Sequence, residues 1–442
     1  MTLGNPSPPT TFEGDLPPGI RPLPGPRPER SVWLGGPPAD PAASPSEKSR
    51  VIGIDAARGL ALIGMIATHV LPSSHSMTGE PTLQWSLFAG NAAALFALLA
   101  GISLTMMTGR TTPHTGRRWV RSAVSILIRA LLLFSVFGLA LNILPIPVYN
   151  ILPYYALLFL LAIPLTLLRP LQLLVVTILF GVGGPVAIFL INRGLDYTVT
   201  SRPTFMDLTY DPSGVLLSLF SGGAFPVLTW MTFICLGLML GRMGLERLSV
   251  QIQLAASGVV LMVASGALSG FLLNTGGGWQ RIMEAIPAMT TQDAFNISVY
   301  GSQAGNVDPT TWWWLAVSGP HTNTPLSIGY SAGVAMFVLG GSLLVSRVWA
   351  EFLTPLLAAG SMTLTMYTAH LVFITFIDSG TLPLLWFAIQ IGGALILATV
   401  WKMSVGRGPF EGFVARVSKW TAGLLVPVQD ASAATGRHHL QP

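Results

Sequence analysis

Residues 50–71 read RVIGIDAARGLALIGMIATHVL, a run apolar enough to enter a bilayer that nevertheless carries Asp55, Arg58 and His69. An α-helix advances about 100° per residue, so positions eleven apart differ by only about 20° after three turns. Arg58 and His69 therefore share one stripe with Leu62 and Met65, about 16 Å apart along the axis. Asp55 stands one turn before Arg58, where an (i, i+3) ion pair forms. Intramembrane charges cost several kcal/mol and persist where they are paired or face a wet interior. Pairing accounts for Asp55 and Arg58 as a helix-locking couple, and a histidine near a helix end can be an ordinary interfacial residue. The stripe also permits a functional reading, with a cation at one end to attract phosphate and an imidazole at the other as general base or acyl acceptor.

The rest of the chain makes this stretch one span among many. Its 442 residues are 51% hydrophobic and 9% charged, against about one quarter charged in soluble proteins, and the mean hydropathy is +0.62. These values describe an all-α polytopic membrane bundle. About ten spans are expected, at 51–71, 84–107, 122–144, 149–168, 171–192, 215–241, 250–273, 325–345, 355–377 and 383–401, each near the ~20 residues that cross a hydrocarbon core. The sixth contains SGGAFPVLTW, whose glycines and proline suit a broken or re-entrant piece. Residues 1–49 are Pro-rich and read as a disordered cytoplasmic tail, 50–403 as the transmembrane domain, and 404–442 as a cytoplasmic C-terminal tail.

Arg110, Arg117, Arg118, Arg121, Arg169, Arg242, Arg247 and Arg347 fall on one side of this arrangement with the basic residues of both tails. Arg193, Arg202 and Arg281 fall on the other. The positive-inside rule then puts both termini in the cytoplasm. The connections 193–214 and 274–324 exceed a simple turn and are expected to cover the outer face, with Trp312 to Trp314 as an interfacial belt or a sugar-stacking platform. The net charge of +5 comes from scattered basic residues with no interleaved aromatic patch, which argues against nucleic acid. One cysteine, Cys235, excludes a disulfide framework, no metal constellation appears, and GVGGPVA at 181–187 reads as helix-packing glycine. Abundant Arg, Ala, Gly and Pro, with Arg well above Lys, suit a high-GC bacterial genome and hence a bacterial cytoplasmic membrane.

Other polar residues are candidates to line a site. His370, in MYTAHLVF, is expected at the outer level of His69, with Tyr367 one turn earlier on a similar face. His321, in SGPHTNTP, lies at the outer mouth of a helix, as an acceptor contact or part of a capping loop. Asn91 suits an interhelical hydrogen bond or a substrate contact. Tyr154 and Tyr155 read first as interfacial anchors, with Tyr154 also a candidate substrate contact. Arg129 either snorkels to the interface or joins Arg58 in a phosphate-binding vestibule.

GIDAARGLALIGMIATHV at 53–70 and NAAALFALLAGISLTM at 91–106 resemble the bacterial relatives of heparan-alpha-glucosaminide N-acetyltransferase. So do FPVLTWMTFICLGLMLGR at 225–242, GPHTNTPLSIGYSAGVAMFVLG at 319–340, GSMTLTMYTAHLVF at 360–373 and GRGPFEGFVARV at 406–417. The resemblance covers most of residues 50–417. It implies acyl transfer from a cytoplasmic acyl-CoA, most simply acetyl-CoA, without a metal, to a hydroxyl or amine of an envelope glycan or glycolipid across the membrane lipid. On the matching positions it implies His69 as base or acyl relay, Arg58 as donor clamp and Asp55 as the partner of Arg58. His75, just past the first helix, is the rival for the histidine role. A transporter or export factor for a lipid or glycan precursor, with the same residues lining a path, is the alternative. A silent assembly subunit is a third reading, and a homo-oligomer is left open.

Overall fold

In hydrocarbon every backbone N–H and C=O must be satisfied within the chain, so apolar runs of this length become helices. The computed structural model describes residues 51–195, 199–200, 202–302, 307–378 and 380–427. The Pro-rich stretch 1–49 and residues 428–442 lie outside the described residues. Among those described there is no β-strand, only an isolated bridge between Ser74 and Pro81.

The helices in chain order are α1 (Ile52–Val70), α2 (Leu83–Phe88), α3 (Asn91–Met107), α4 (Gly116–Leu132), α5 (Leu152–Leu165), α6 (Pro170–Ile178) and α7 (Gly184–Gly194). There follow α8 (Phe205–Tyr210), α9 (Pro212–Ser221), α10 (Val227–Gly241), α11 (Leu248–Gly270), α12 (Gly278–Ala285) and α13 (Thr291–Tyr300). The chain continues with α14 (Pro325–Trp349), α15 (Thr354–Gly360), α16 (Thr363–Ile374), α17 (Pro383–Ser404) and α18 (Pro409–Leu425).

Among the described residues, seven spans are long and apolar enough to cross a membrane, and eight if the bent pair α15 and α16 counts as one. The all-helical polytopic fold stands, but two of the ten expected spans take another form. Residues 149–168 give α5, whose 14 residues reach only about 21 Å against a core of about 30 Å. Residues 215–241 divide into α9 and α10 at Gly222 to Pro226, where Gly223 takes φ of 72° and Pro226 cannot donate to a helix. A third expected span, 355–377, bends by 82° between α15 and α16.

α1 sits among α3, α14, α15 and α17, and its buried face includes Asp55, Leu62 and Met65. It ends where Leu71 turns extended, as the residue before Pro72 must. Small residues set the closest crossings, because lipid tails offer no hydrophobic gradient and helices gain mainly by tight packing. A Cβ on Gly101 would fall 2.3 Å from the Ile234 carbonyl oxygen, and one on Gly237 2.0 Å from that of Leu98, so α3 and α10 pack backbone to backbone. Gly184 meets α10 in the same way at Leu228, in keeping with a packing role for GVGGPVA.

At the break between α15 and α16, a Cβ on Gly360 would fall 1.8 Å from the Asp55 carbonyl oxygen. Gly360→Ala is expected to push α15 off α1 and cost at least about 1–3 kcal/mol, read as a lower Tm of the detergent-solubilised protein. An unchanged Tm would contradict this crossing.

The connection between α11 and α14 folds into a small second core of Leu273, Ile282, Trp314, Ala316 and Val317. Trp314 is completely buried there, Trp312 stacks on Phe189 at 4.3 Å, and Arg281 lies over the Trp313 ring at 4.8 Å. Trp314 thus fills this small core, whereas Trp312 stays about half exposed. Residues 404–442 also hold more than a tail: α18 packs along α4, with Val414, Ala415, Ser418 and Ala422 turned inward.

Candidate active site

Two cavities lie along the α1 stripe. The larger, about 340 Å³, is lined at its polar end by Arg58, Ser103, Arg129 and Glu411 and farther in by Met65, Tyr155, Ile151 and Tyr367. The smaller, about 40 Å³, is lined by His69, His321, Tyr149, Phe88 and Phe225, and again by Met65, Ile151 and Tyr367. Those three shared side chains form the partition between the cavities. Met65 stands where helical periodicity put it, between Arg58 and His69. Leu62, expected on the same stripe, is packed in the core.

At the polar end Arg58 Nη1 donates to Asp55 Oδ1 at 3.0 Å, and Nη2 donates to Ser103 Oγ of α3 at 2.5 Å. The ion pair is thus present, and the guanidinium still lines the cavity. Arg129, from α4, lines it too, and its Nε is buried without a hydrogen-bond partner. Two guanidinium groups and Ser103 form an end suited to a phosphate-bearing ligand. The floor comes from α18: Glu411 accepts from Thr365 N at 3.0 Å and from Thr365 Oγ1 at 2.6 Å, which latches α18 onto the start of α16. Tyr155 lines this cavity, and its hydroxyl is buried without a partner.

At the other end His69 Nδ1 lies 2.9 Å from His370 Nε2, the rings stacked at 5.2 Å. His370 Nδ1 lies 2.6 Å from Gln390 Oε1 of α17. His69 and His370 are therefore partners at one depth. His321 reaches the same cavity from the connection before α14, with φ of 53°, a backbone region a bulky residue rarely takes. Asn323, also left-handed at 55°, holds it there: its amide donates to the His321 carbonyl at 3.1 Å and accepts from Trp230 Nε1 at 3.0 Å.

The His321 Nδ1 faces the Ala224 carbonyl at 3.3 Å, an acceptor only, so Nδ1 carries the proton and Nε2 a lone pair. Burial pulls this imidazole below its ordinary pKa, with the Ala224 contact opposing. His321 is accordingly neutral at pH 7 and charges only in more acidic solution. The Gly222 to Pro226 break supplies both that carbonyl and Phe225. Thr324 caps α14 through Ser327 N at 3.1 Å, so SGPHTNTP serves as a capping loop and also delivers a cavity residue.

The remaining candidates lie elsewhere. His75 is on an exposed turn, its N–H donating to the Glu80 carbonyl at 2.8 Å, and lines neither cavity. Asn91 begins α3 after Gly90, and its amide oxygen accepts from Ser331 of α14 at 2.9 Å, which realises its interhelical role. Tyr154 is 1% exposed and packs edge-on against Phe225, so it is not an interfacial anchor, and it lines neither of these two cavities. Tyr367 bridges both cavities, its hydroxyl 3.5 Å from Ile151 N. Tyr155, Ser103, Glu411 and Gln390 were not anticipated. Gln390 does have a signal in the sequence, as a lone amide in the apolar run 383–398.

Residues 50–272, half of the chain, match the family described as heparan-alpha-glucosaminide N-acetyltransferase, catalytic. The chain belongs to this family. No curated protein matches it closely enough to add a second comparison. This is an integral-membrane acyltransferase family with acetyl-CoA as donor, and the matched segment holds Asp55, Arg58, His69 and Arg129. The later half, outside the match, supplies His321, Tyr367, His370, Gln390 and Glu411.

Proposed function

We propose that the protein transfers an acetyl or other short acyl group from cytoplasmic acyl-CoA to a hydroxyl or amine of an envelope glycan or glycolipid on the opposite side of a bacterial cytoplasmic membrane. The observation that carries this reading is the pair of cavities divided by Met65, Ile151 and Tyr367, with arginines at one end and His69 at the other. Arg58 and Arg129 hold the phosphates of the donor, and the acyl thioester reaches the partition. His69 takes the acceptor proton or briefly carries the acyl group. The proposal includes the cytoplasmic termini, since the arginine-rich loops flank the donor end, and ten crossings with α5 and the α9–α10 pair as short or broken spans.

Thioester loss from labelled acetyl-CoA, measured on purified protein and on His69→Ala, tests the reading. Wild-type protein that neither binds nor consumes acyl-CoA would exclude it. The 82° break between α15 and α16 favours a second reading, export of a lipid or glycan precursor, because transporters build sites at discontinuous helices. Export would leave acetyl-CoA intact.

A further inference from the structure

Gln390, His370 and His69 form a chain of ring and amide atoms at 2.6 and 2.9 Å across three helices. The Gln390 oxygen faces His370 Nδ1, so that nitrogen donates and carries the ring proton. His370 Nε2 is then a bare acceptor, and His69 Nδ1 must donate to it. A neutral imidazole has one ring proton, which leaves the lone pair of His69 on Nε2. His69 lines the smaller cavity with Nδ1 already engaged, so Nε2 is the nitrogen left for a substrate. Turning the amide over would reverse every donor: His370 Nδ1 would accept, both rings would be protonated on Nε2, and His69 could no longer take a proton there.

We propose that Gln390 and His370 are positioning residues that hold the proton of His69 on Nδ1 and so make Nε2 the reacting atom. This rests on the acyl-transfer reading of the same cavity. In that reaction the acceptor hydroxyl or amine loses its proton to His69 Nε2 as its oxygen or nitrogen bonds the acyl carbon. The carbon–sulfur bond breaks, and the same proton passes to the departing thiolate. Nothing leaves through His370, so the chain orients His69 and stabilises its transient cation through the polarised Nδ1–H bond. The reading moves His370 from acceptor contact to support. It also explains an amide in α17, a helix that otherwise packs on the core through apolar side chains such as Trp386, Phe387, Ile391 and Leu395.

The test uses full-length protein, labelled with ¹³C and ¹⁵N at histidine, in lipid vesicles. Solid-state spectra report the tautomer of each ring, with His69→Asn assigning the His69 signals. Wild type and Gln390→Glu, which can only accept when ionised, are expected to show Nδ1-protonated His69. Gln390→Leu, an apolar replacement of similar size in a lipid-facing helix, is expected to lose that tautomer. Its acetyl-CoA turnover should fall about 100-fold with KM for acetyl-CoA unchanged. Nε2-protonated His69 in wild type, or a Gln390→Leu variant with wild-type tautomer and turnover, would overturn the proposal. Should wild type consume no acetyl-CoA, the transfer reading fails while the spectra still decide the proton's position.

Discussion

His69→Ala is expected to lower acetyl transfer about 1,000-fold with the KM for acetyl-CoA nearly unchanged. The imidazole lines the smaller cavity, while both arginines line the larger one. Removing the ring takes away the proton acceptor and leaves the phosphate contacts intact. A residue that acts only in the transition state lowers kcat and spares ground-state binding. Initial rates over a range of acetyl-CoA concentrations measure both constants. The exposed His75 supplies the control: His75→Ala is expected to retain wild-type rates, and a large loss there would transfer the histidine role to the turn.

Arg58→Ala is expected to do two things at once. Asp55 is 5% exposed and would lose its 3.0 Å guanidinium partner, and removing one partner of a largely buried ion pair is destabilising. The variant should therefore melt at a distinctly lower temperature in detergent. Acetyl-CoA binding should weaken as well, since the same guanidinium lines the polar end of the larger cavity. Asp55→Asn combined with Arg58→Gln separates the effects. The double variant removes both charges, should regain most of the stability, and should still bind acetyl-CoA weakly, as read by calorimetry. Tight binding by the double variant would mean that Arg58 serves the fold alone.

The extent to which these features were legible in the sequence differs by kind of interaction. The membrane fold, the Asp55–Arg58 pair and the Arg58, Met65, His69 stripe follow from local helix geometry, which three to eleven residues specify. The break at SGGAFPVLTW was legible because glycine and proline mark it. The Trp312 to Trp314 cluster was not, because an aromatic run looks the same in sequence whether it faces an interface or, like Trp314, fills a small core. The helical C-terminal segment was hidden by polar residues that alternate with apolar ones. Only its packing along α4, with Val414, Ala415 and Ala422 turned inward, shows why one face is apolar. Tyr154 and Tyr155 are adjacent in sequence, yet one packs against Phe225 and the other lines the larger cavity.

By itself the sequence determined that apolar helices cross a bilayer and that one of them carries a cation and an imidazole on a common face. Those properties reside in hydropathy and in the 3.6-residue turn, which need no neighbour. Which helices stand beside that face was decided by tertiary structure. Lipid tails are as apolar as leucine, so hydropathy does not say which apolar helix packs against which. Close backbone approach at Gly101, Gly237 and Gly360, and polar contacts such as Arg58 to Ser103, accompany the arrangement adopted. It brings His370, Gln390 and His321 to His69 from three different segments, and sets the Nδ1 of His69 against His370.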